Sequence, residues 1–228
     1  MSESSKSFGS AGCAFAVCVV LALVVGWLLL PGLSHPIEGY HLSECKNNLK
    51  QLGFALHNYH DVYKSFPPAI VRDKNARPHL SWRTLLLPFA EQGAMSDEYR
   101  LDEPWNSPHN KNLPPSSIEV FRCPSNRTDF GKPTTNYVAV IGPNTAWRSD
   151  GTVVSIQDFT DGVSNTILLV ETKEAGIHLF EPRDLSLDQM TLSINSPVGQ
   201  GISSDHRLKT ESLGIHVLMA DGTVKTTP

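Results

Sequence analysis

The sequence predicts an α+β protein. Three observations carry that reading: an apolar run near the N-terminus, one long amphipathic stripe after it, and a series of short β-prone segments set off by turn residues. The expected architecture is an N-terminal transmembrane helix, then a long amphipathic helix packed on the antiparallel β-sheet of a head.

The apolar run comes first. No Asp, Glu, Lys or Arg occurs from Ser7 to Ile37, and within that span Ala11–Leu30 supplies twenty residues rich in Val and Leu. As a helix rising about 1.5 Å per residue this run would be about 30 Å long, the thickness of a hydrocarbon core. Trp27 lies near its far end, where an indole suits the interface. Residues 11–31 are therefore expected as a transmembrane anchor, with 1–10 as a cytoplasmic N-terminus. Lys6 and the α-amino group stand against Glu3 on that side, and no Lys or Arg follows the run until Lys46. The positive-inside rule then exports the remainder. The competing reading is a secretory signal peptide cleaved before His35, because Gly32-Leu33-Ser34 offers small residues there.

Pro31-Gly32, Pro36 and Gly39 discourage helix, so residues 32–41 are expected as a linker. The stripe follows. Leu42, Cys45, Leu49, Leu52, Leu56, Tyr59, Tyr63 and Phe66 alternate spacings of three and four, which places them on one helical face. A helix over 42–66 is expected, with Ser43 as cap and Pro67-Pro68 as stop. No coiled-coil pattern of flanking charges accompanies it, so the stripe should pack on a sheet of its own domain.

Residues 67–228 read as the β-rich head of one exported domain, 42–228. A short helix is expected over Trp82–Glu91, capped by Ser81 and disrupted by Pro88, and another starts at Ser107-Pro108. Strands are expected over Ile118–Arg122, Asn136–Ile141 and Thr166–Glu171. The best hairpin joins Ile215–Ala220 to Thr223–Thr226 through Asp221-Gly222.

Composition excludes several classes. At 228 residues and 25.0 kDa, with 40% hydrophobic and 18% charged residues, the chain is an ordinary globular one. Nineteen Lys and Arg against 23 Asp and Glu give a net charge of −4, so a nucleic-acid partner held through phosphates is not expected. Cys13 and Cys18 lie in or beside the apolar run, which leaves Cys45 and Cys123 in the body. A pair in an exported domain suggests a disulfide; two unrelated buried thiols are the alternative. No Cys-x-x-Cys occurs, so a zinc site is not expected.

Several phrases then stand in one order. Cys45-Lys46-Asn47-Asn48-Leu49-Lys50-Gln51-Leu52-Gly53 leads to Phe66-Pro67-Pro68-Ala69. Ser81-Trp82-Arg83 precedes Glu103-Pro104-Trp105-Asn106-Ser107-Pro108, and Cys123-Pro124-Ser125 follows. Thr160-Asp161-Gly162-Val163-Ser164-Asn165-Thr166 and Ala220-Asp221-Gly222-Thr223-Val224 close the series. Together they resemble a large family of prepilin-like proteins with a domain of unknown function, expanded in planctomycete bacteria. The resemblance covers about residues 40–226. It implies a pilin or pseudopilin-like build: apolar helix, amphipathic continuation, β-rich head.

Two departures qualify what it implies. The prepilin-peptidase signal before the apolar run is replaced by Phe8-Gly9-Ser10-Ala11-Gly12-Cys13-Ala14, without the acid that sets pilin register. A histidine that such proteins carry ten residues before the final Asp-Gly is Glu211 here.

Candidate sites are few, and each has a plain structural alternative. His57, His60 and Asp61 share neighbouring helical positions and could hold a metal, or be ordinary helix contacts. Asp158 and Asp161, with Ser164 and Asn165, make an oxygen-rich segment that suits calcium or a tight turn. Trp82, Trp105 and Trp147 could line a glycan or peptide groove, or anchor packing. No nucleophile elbow, His-Glu-x-x-His, phosphate loop or dinucleotide fingerprint occurs. No enzyme activity and no cofactor are therefore expected.

The expected function is that of a membrane-anchored extracytoplasmic pseudopilin-like structural or interaction protein that does not polymerise. It would sit in the cell membrane as a single-pass protein, with secretion or pilus-type apparatus proteins as partners. An extracytoplasmic glycan- or peptide-binding module is the alternative.

Overall fold

A computed structural model describes residues 8–90, 93–114, 119–126, 131–173, 175–191, 193, 201–204, 206–208, 211–212 and 214–227. The chain divides into two compact units, 1–40 and 41–228.

Helix α1 runs Phe8–Tyr63, 56 residues. The linker expected over 32–41 is helix, and the start expected at 42 with Ser43 as cap lies inside it. An internal proline removes one backbone donor and crowds the carbonyl four residues back; this bends helices as well as ending them. In the first unit the side chains of residues 17–25 are exposed, among them Val17, Val20, Leu21 and Leu23 at 53–67%. Among the described residues no helix is long and apolar enough to cross a membrane. Of the anchor expected over 11–31, residues 11–16 and 27–31 lie outside the described side chains, which leaves a stretch shorter than a span.

In the second unit the middle of the stripe is buried as its spacing predicts, while Leu42 and Tyr59 are half-buried and Tyr63 is 58% exposed. Cys45, Leu49, Leu52 and Leu56 are fully buried, joined by Ala55, in one cluster with Leu168, Leu169, Leu218 and Ala220. The helix ends at Tyr63, three residues before the expected end. Lys64 takes a left-handed φ of 62° and its N–H bonds the His60 carbonyl at 2.7 Å, which closes the last turn. Phe66 therefore reaches the core from the following segment.

The sheet under α1 has four antiparallel strands: β3 (Tyr137–Val138), β5 (Ile167–Glu171), β9 (Ile215–Met219) and β10 (Val224–Thr227), in the order β10-β9-β5-β3. Gly53 marks a close approach: a Cβ there would lie 2.9 Å from Leu218 Cδ1. All five residues of β9 are buried because its two faces are both covered. Leu218 belongs to the α1 cluster, whereas Val217 and Met219 join Val138, Val170, Ile177 and Leu185 in a second one. A bulge between Ile167 and Leu169 lets consecutive Leu168 and Leu169 enter the same cluster.

The C-terminal hairpin matches expectation: Val224 pairs with Leu218, Gly222 has φ 81°, and Asp221 Oδ1 accepts the Thr223 N–H at 2.9 Å. Short paired segments complete the head: β1 (Ile70–Arg72) with β2 (Pro78–Ser81), β4 (Val140–Ile141) parallel to β6 (Leu185–Ser186), and β7 (Arg207–Leu208) with β8 (Glu211–Ser212). Helix α2 (Trp82–Leu86) starts as expected, with Ser81 Oγ accepting from Arg83 N. It gives way at Pro88 to a 3₁₀ turn, Leu87–Phe89, and α3 follows at Gly93–Glu98.

The strand expected over Ile118–Arg122 is instead a 3₁₀ turn, Glu119–Phe121, with Ile118 outside the described residues. The Asn48 amide donates to the Glu119 and Arg122 carbonyls at 3.3 and 2.8 Å, satisfying acceptors a strand would have needed.

Two buried devices lock the head. The first is an ion pair, Arg83 with Asp184, whose side chains have no exposed surface. Arg83 also donates to the Tyr137 carbonyl and Ser81 Oγ, and Asp184 accepts from Trp82 Nε1 at 3.1 Å and from Ala139 N at 2.8 Å. The second is Gly214, with φ 88°, where a Cβ would lie 2.1 Å from the Thr227 carbonyl oxygen. Gly214→Ala combines left-handed strain of about 1–3 kcal/mol with that clash. Its urea midpoint should fall sharply, while Gly151→Ala, also left-handed but in open space, loses only the strain.

Candidate functional site

The densest set of chemically active groups lies where the start of the packed half of α1 meets the end of β5. Cys45 and Cys123 form a disulfide with Cα atoms 4.8 Å apart, closing 78 residues. The Cys45 carbonyl accepts from Tyr137 Oη at 3.1 Å, and the Cys123 N–H donates to Asn136 Oδ1 at 2.9 Å. Both ends of the bridge are thus pinned to adjacent residues, Asn136 and Tyr137, at the start of β3.

Against this bridge sit a carboxyl and two imidazoles. Glu171 is the last residue of β5 and is 2% exposed. Its Oε2 accepts the backbone N–H of His216 at 2.7 Å, but its Oε1 is buried with no hydrogen-bond partner. His206 Nε2 lies 3.6 Å from that Oε1 and 3.3 Å from Cys123 Sγ. His206 Nδ1 is 3.3 Å from the Gly214 carbonyl, which only accepts, so Nδ1 carries a proton. The His206 and His216 rings are 4.9 Å apart, and His216 Nε2 faces the Leu42 carbonyl of α1 at 3.3 Å. A cavity of about 10 Å³, room for one water, opens between Cys123, Asn136, Glu171 and Ser203.

Burial pushes the Glu171 carboxyl up to about 8, against the opposing bond from His216 N–H. The sign of the consequence is fixed. A carboxyl whose folded pKa is raised contributes stability that is fully present below its unfolded value and is lost as pH rises through the folded one. Glu171 should therefore cost the disulfide-bonded protein stability between about pH 4.5 and 8, on the order of 4 kcal/mol at the upper end. Glu171→Gln removes that term. The difference in urea midpoint between variant and wild type should grow with pH over this window; a constant difference would mean that Glu171 is ionised throughout.

Each sequence candidate has a definite place. Cys45 and Cys123 are bridged. Trp82 and Trp147 are buried, 5.1 Å apart, with indole N–H groups committed to Asp184 and the Leu168 carbonyl. Trp105 packs on His178 at 5.7 Å. The three tryptophans do not converge on a groove. Asp158 caps a 3₁₀ turn, Ile156–Asp158, by accepting the Ser155 N–H at 2.7 Å. The Asp161 carbonyl takes the Asn165 amide at 3.0 Å, Gly162 has φ 85°, and Arg148 lines the same hollow. That is turn chemistry beside a cation. His60 Nε2 accepts the Ile156 N–H at 3.3 Å, and His57 stands edge-on to Phe66.

Glu171, His206 and His216 were not legible as a site. Glu171 had one signal, an acid closing the apolar strand Ile167-Leu168-Leu169-Val170. The histidine position read as Glu211 falls on β8. His206 lies just before β7 and is buried.

A family model described as a protein of unknown function, DUF1559, matches residues 43–156, half of the chain. Neither a curated protein nor a solved structure matches it. The matched span holds both bridged cysteines and the packed part of α1; Glu171, His206 and His216 lie beyond it.

Proposed function

The chain belongs to the DUF1559 family of proteins of unknown function, and from that premise we propose that it is a membrane-anchored, extracytoplasmic, pseudopilin-like structural or interaction protein that does not polymerise. One observation carries the reading. A single helix, α1, has exposed apolar side chains over residues 17–25 and a fully buried face at Cys45, Leu49, Leu52 and Leu56. Exposed valine and leucine at that density call for an apolar environment, and a lipid bilayer supplies one. The buried face is already used within the second unit, so it has nothing left to offer a neighbouring subunit. The disulfide agrees with an oxidising compartment.

Shearing of producing cells, followed by mass spectrometry of released filaments, tests the non-polymerising part. The chain should stay with the cell membranes. Its recovery in sheared filaments with a processed, methylated N-terminus contradicts the proposal.

One observation favours the glycan- or peptide-binding alternative: an open groove of about 230 Å³ bordered by Val140, Asn144, Thr145, Asn165, Ile167 and Met190. An apolar floor with amide and hydroxyl rims suits a short peptide better than a sugar, which would want an aromatic platform. Calorimetric binding of a peptide mixture, lost on Thr145→Trp, would favour that reading over the first.

A further inference from the structure

We propose that the Cys45–Cys123 pair has a second state, in which the reduced cysteines join His206 and Glu171 to bind one Zn²⁺ ion where the disulfide now stands. This inference does not depend on the membrane reading.

The geometry points there first. The donor atoms of Cys45, Cys123, Glu171 and His206 all lie within 4.8 Å of one another, and all four residues are buried. A tetrahedral zinc site has bonds of about 2.3 Å to sulfur and about 2.0–2.2 Å to nitrogen or oxygen, so its ligand atoms stand roughly 3.3–3.8 Å apart. Two such edges already exist: His206 Nε2 to Cys123 Sγ at 3.3 Å, and His206 Nε2 to Glu171 Oε1 at 3.6 Å. The edge out of place is the sulfur pair, which is joined by a covalent bond. Reduction releases it, and side-chain rotation then suffices to separate the sulfurs.

The surroundings fit a cation as well. Glu171 Oε1 is a buried oxygen with no hydrogen-bond partner, which an ion would satisfy. The Gly214 carbonyl holds His206 Nδ1, the outer contact that orients a ligating imidazole and leaves Nε2 to the metal. Two thiolates, an imidazole and a carboxylate are a donor set that favours zinc over hard cations. No Cys-x-x-Cys announces such a site, because the donors come from α1, the segment after the Glu119–Phe121 turn, the end of β5 and the approach to β7.

The chemistry balances with a dithiol as reductant. It gives two electrons and two protons; the Sγ–Sγ bond breaks, each cysteine leaves as a thiol, and the dithiol becomes a disulfide. Zn²⁺ then displaces both thiol protons, together with the Glu171 proton where it is present. The bridge between α1 and the head is exchanged for a metal bridge at the same place.

Co²⁺ serves as the probe on the full chain in detergent micelles, reduced anaerobically with a phosphine that does not chelate. The reduced protein should take up one Co²⁺ per chain, with the visible bands of a tetrahedral site and a near-ultraviolet thiolate charge-transfer band, both removed by Zn²⁺. The oxidised protein should show neither. His206→Ala and Glu171→Gln, which keep both thiols, should each weaken Co²⁺ binding at least tenfold. Near-ultraviolet circular dichroism covers the case in which the reduced chain unfolds: refolding on addition of Zn²⁺ supports the site. Absence of the bands, equal uptake by oxidised protein, or bands unaltered in both variants overturns it.

Discussion

Leu52→Asp is expected to abolish cooperative unfolding of the 41–228 unit. Leu52 is fully buried in the middle of the α1 stripe, among Leu49, Leu56 and the side chains of β5 and β9. Loss of its methyl groups alone costs about 2–5 kcal/mol. A carboxylate in the same place adds a desolvation penalty of several kcal/mol with no cation to pair it. Total stabilities of single domains are about 5–15 kcal/mol, so the sum is enough to unfold the unit. Near-ultraviolet circular dichroism should be lost without denaturant. Leu52→Ala should remain folded with a lower urea midpoint and an unchanged slope. Phe54→Asp, two residues away at a side chain 71% exposed, should change stability by less than about 0.5 kcal/mol. If Leu52→Asp melts like wild type, the stripe is not the core.

Asp184→Ala is expected to cost about 3–5 kcal/mol, because it leaves the Arg83 guanidinium buried without its counter-charge. The Trp82 indole N–H and the Ala139 N–H lose their acceptor in the same step. The double change Arg83→Met with Asp184→Leu should recover much of the loss, since no charge is then stranded. The double variant is measured by urea unfolding beside each single one. A double variant as unstable as the sum of the singles would mean that the two side chains act independently and that neither single change strands a charge.

What was legible in the sequence was whatever depends on local spacing. The run from Leu42 to Leu56 alternates threes and fours, and its inward face is the one that spacing names. Asp221-Gly222 gave its hairpin for the same reason: the turn is decided by the residues in it. The continuity of α1 through Pro31 and Pro36 was not legible, because a proline disfavours helix locally without settling whether the chain bends or stops. Ile118–Arg122 looked like a strand by alternation, but Asn48, more than seventy residues earlier, takes its carbonyls.

The candidate site was legible only as a pair of cysteines. Glu171 and His206 acquire meaning from contacts between residues 35 apart in the chain, and nothing in either local sequence announces the other. The tryptophans show the converse: by type alone Trp82 and Trp147 read as groove lining or as packing anchors, and their neighbours in space place them in the core.

The central claim is that the N-terminal part of α1 holds the chain in the membrane with the second unit outside the cytoplasm. Fractionation with protease protection tests it most directly. The chain should sediment with membranes and resist carbonate extraction. External protease added to spheroplasts should cut the 41–228 unit to the same extent before and after lysis by detergent, leaving a short N-terminal fragment protected until the detergent is added. A unit that resists protease until the membrane is opened, or a soluble protein whose N-terminus is His35, would contradict the account.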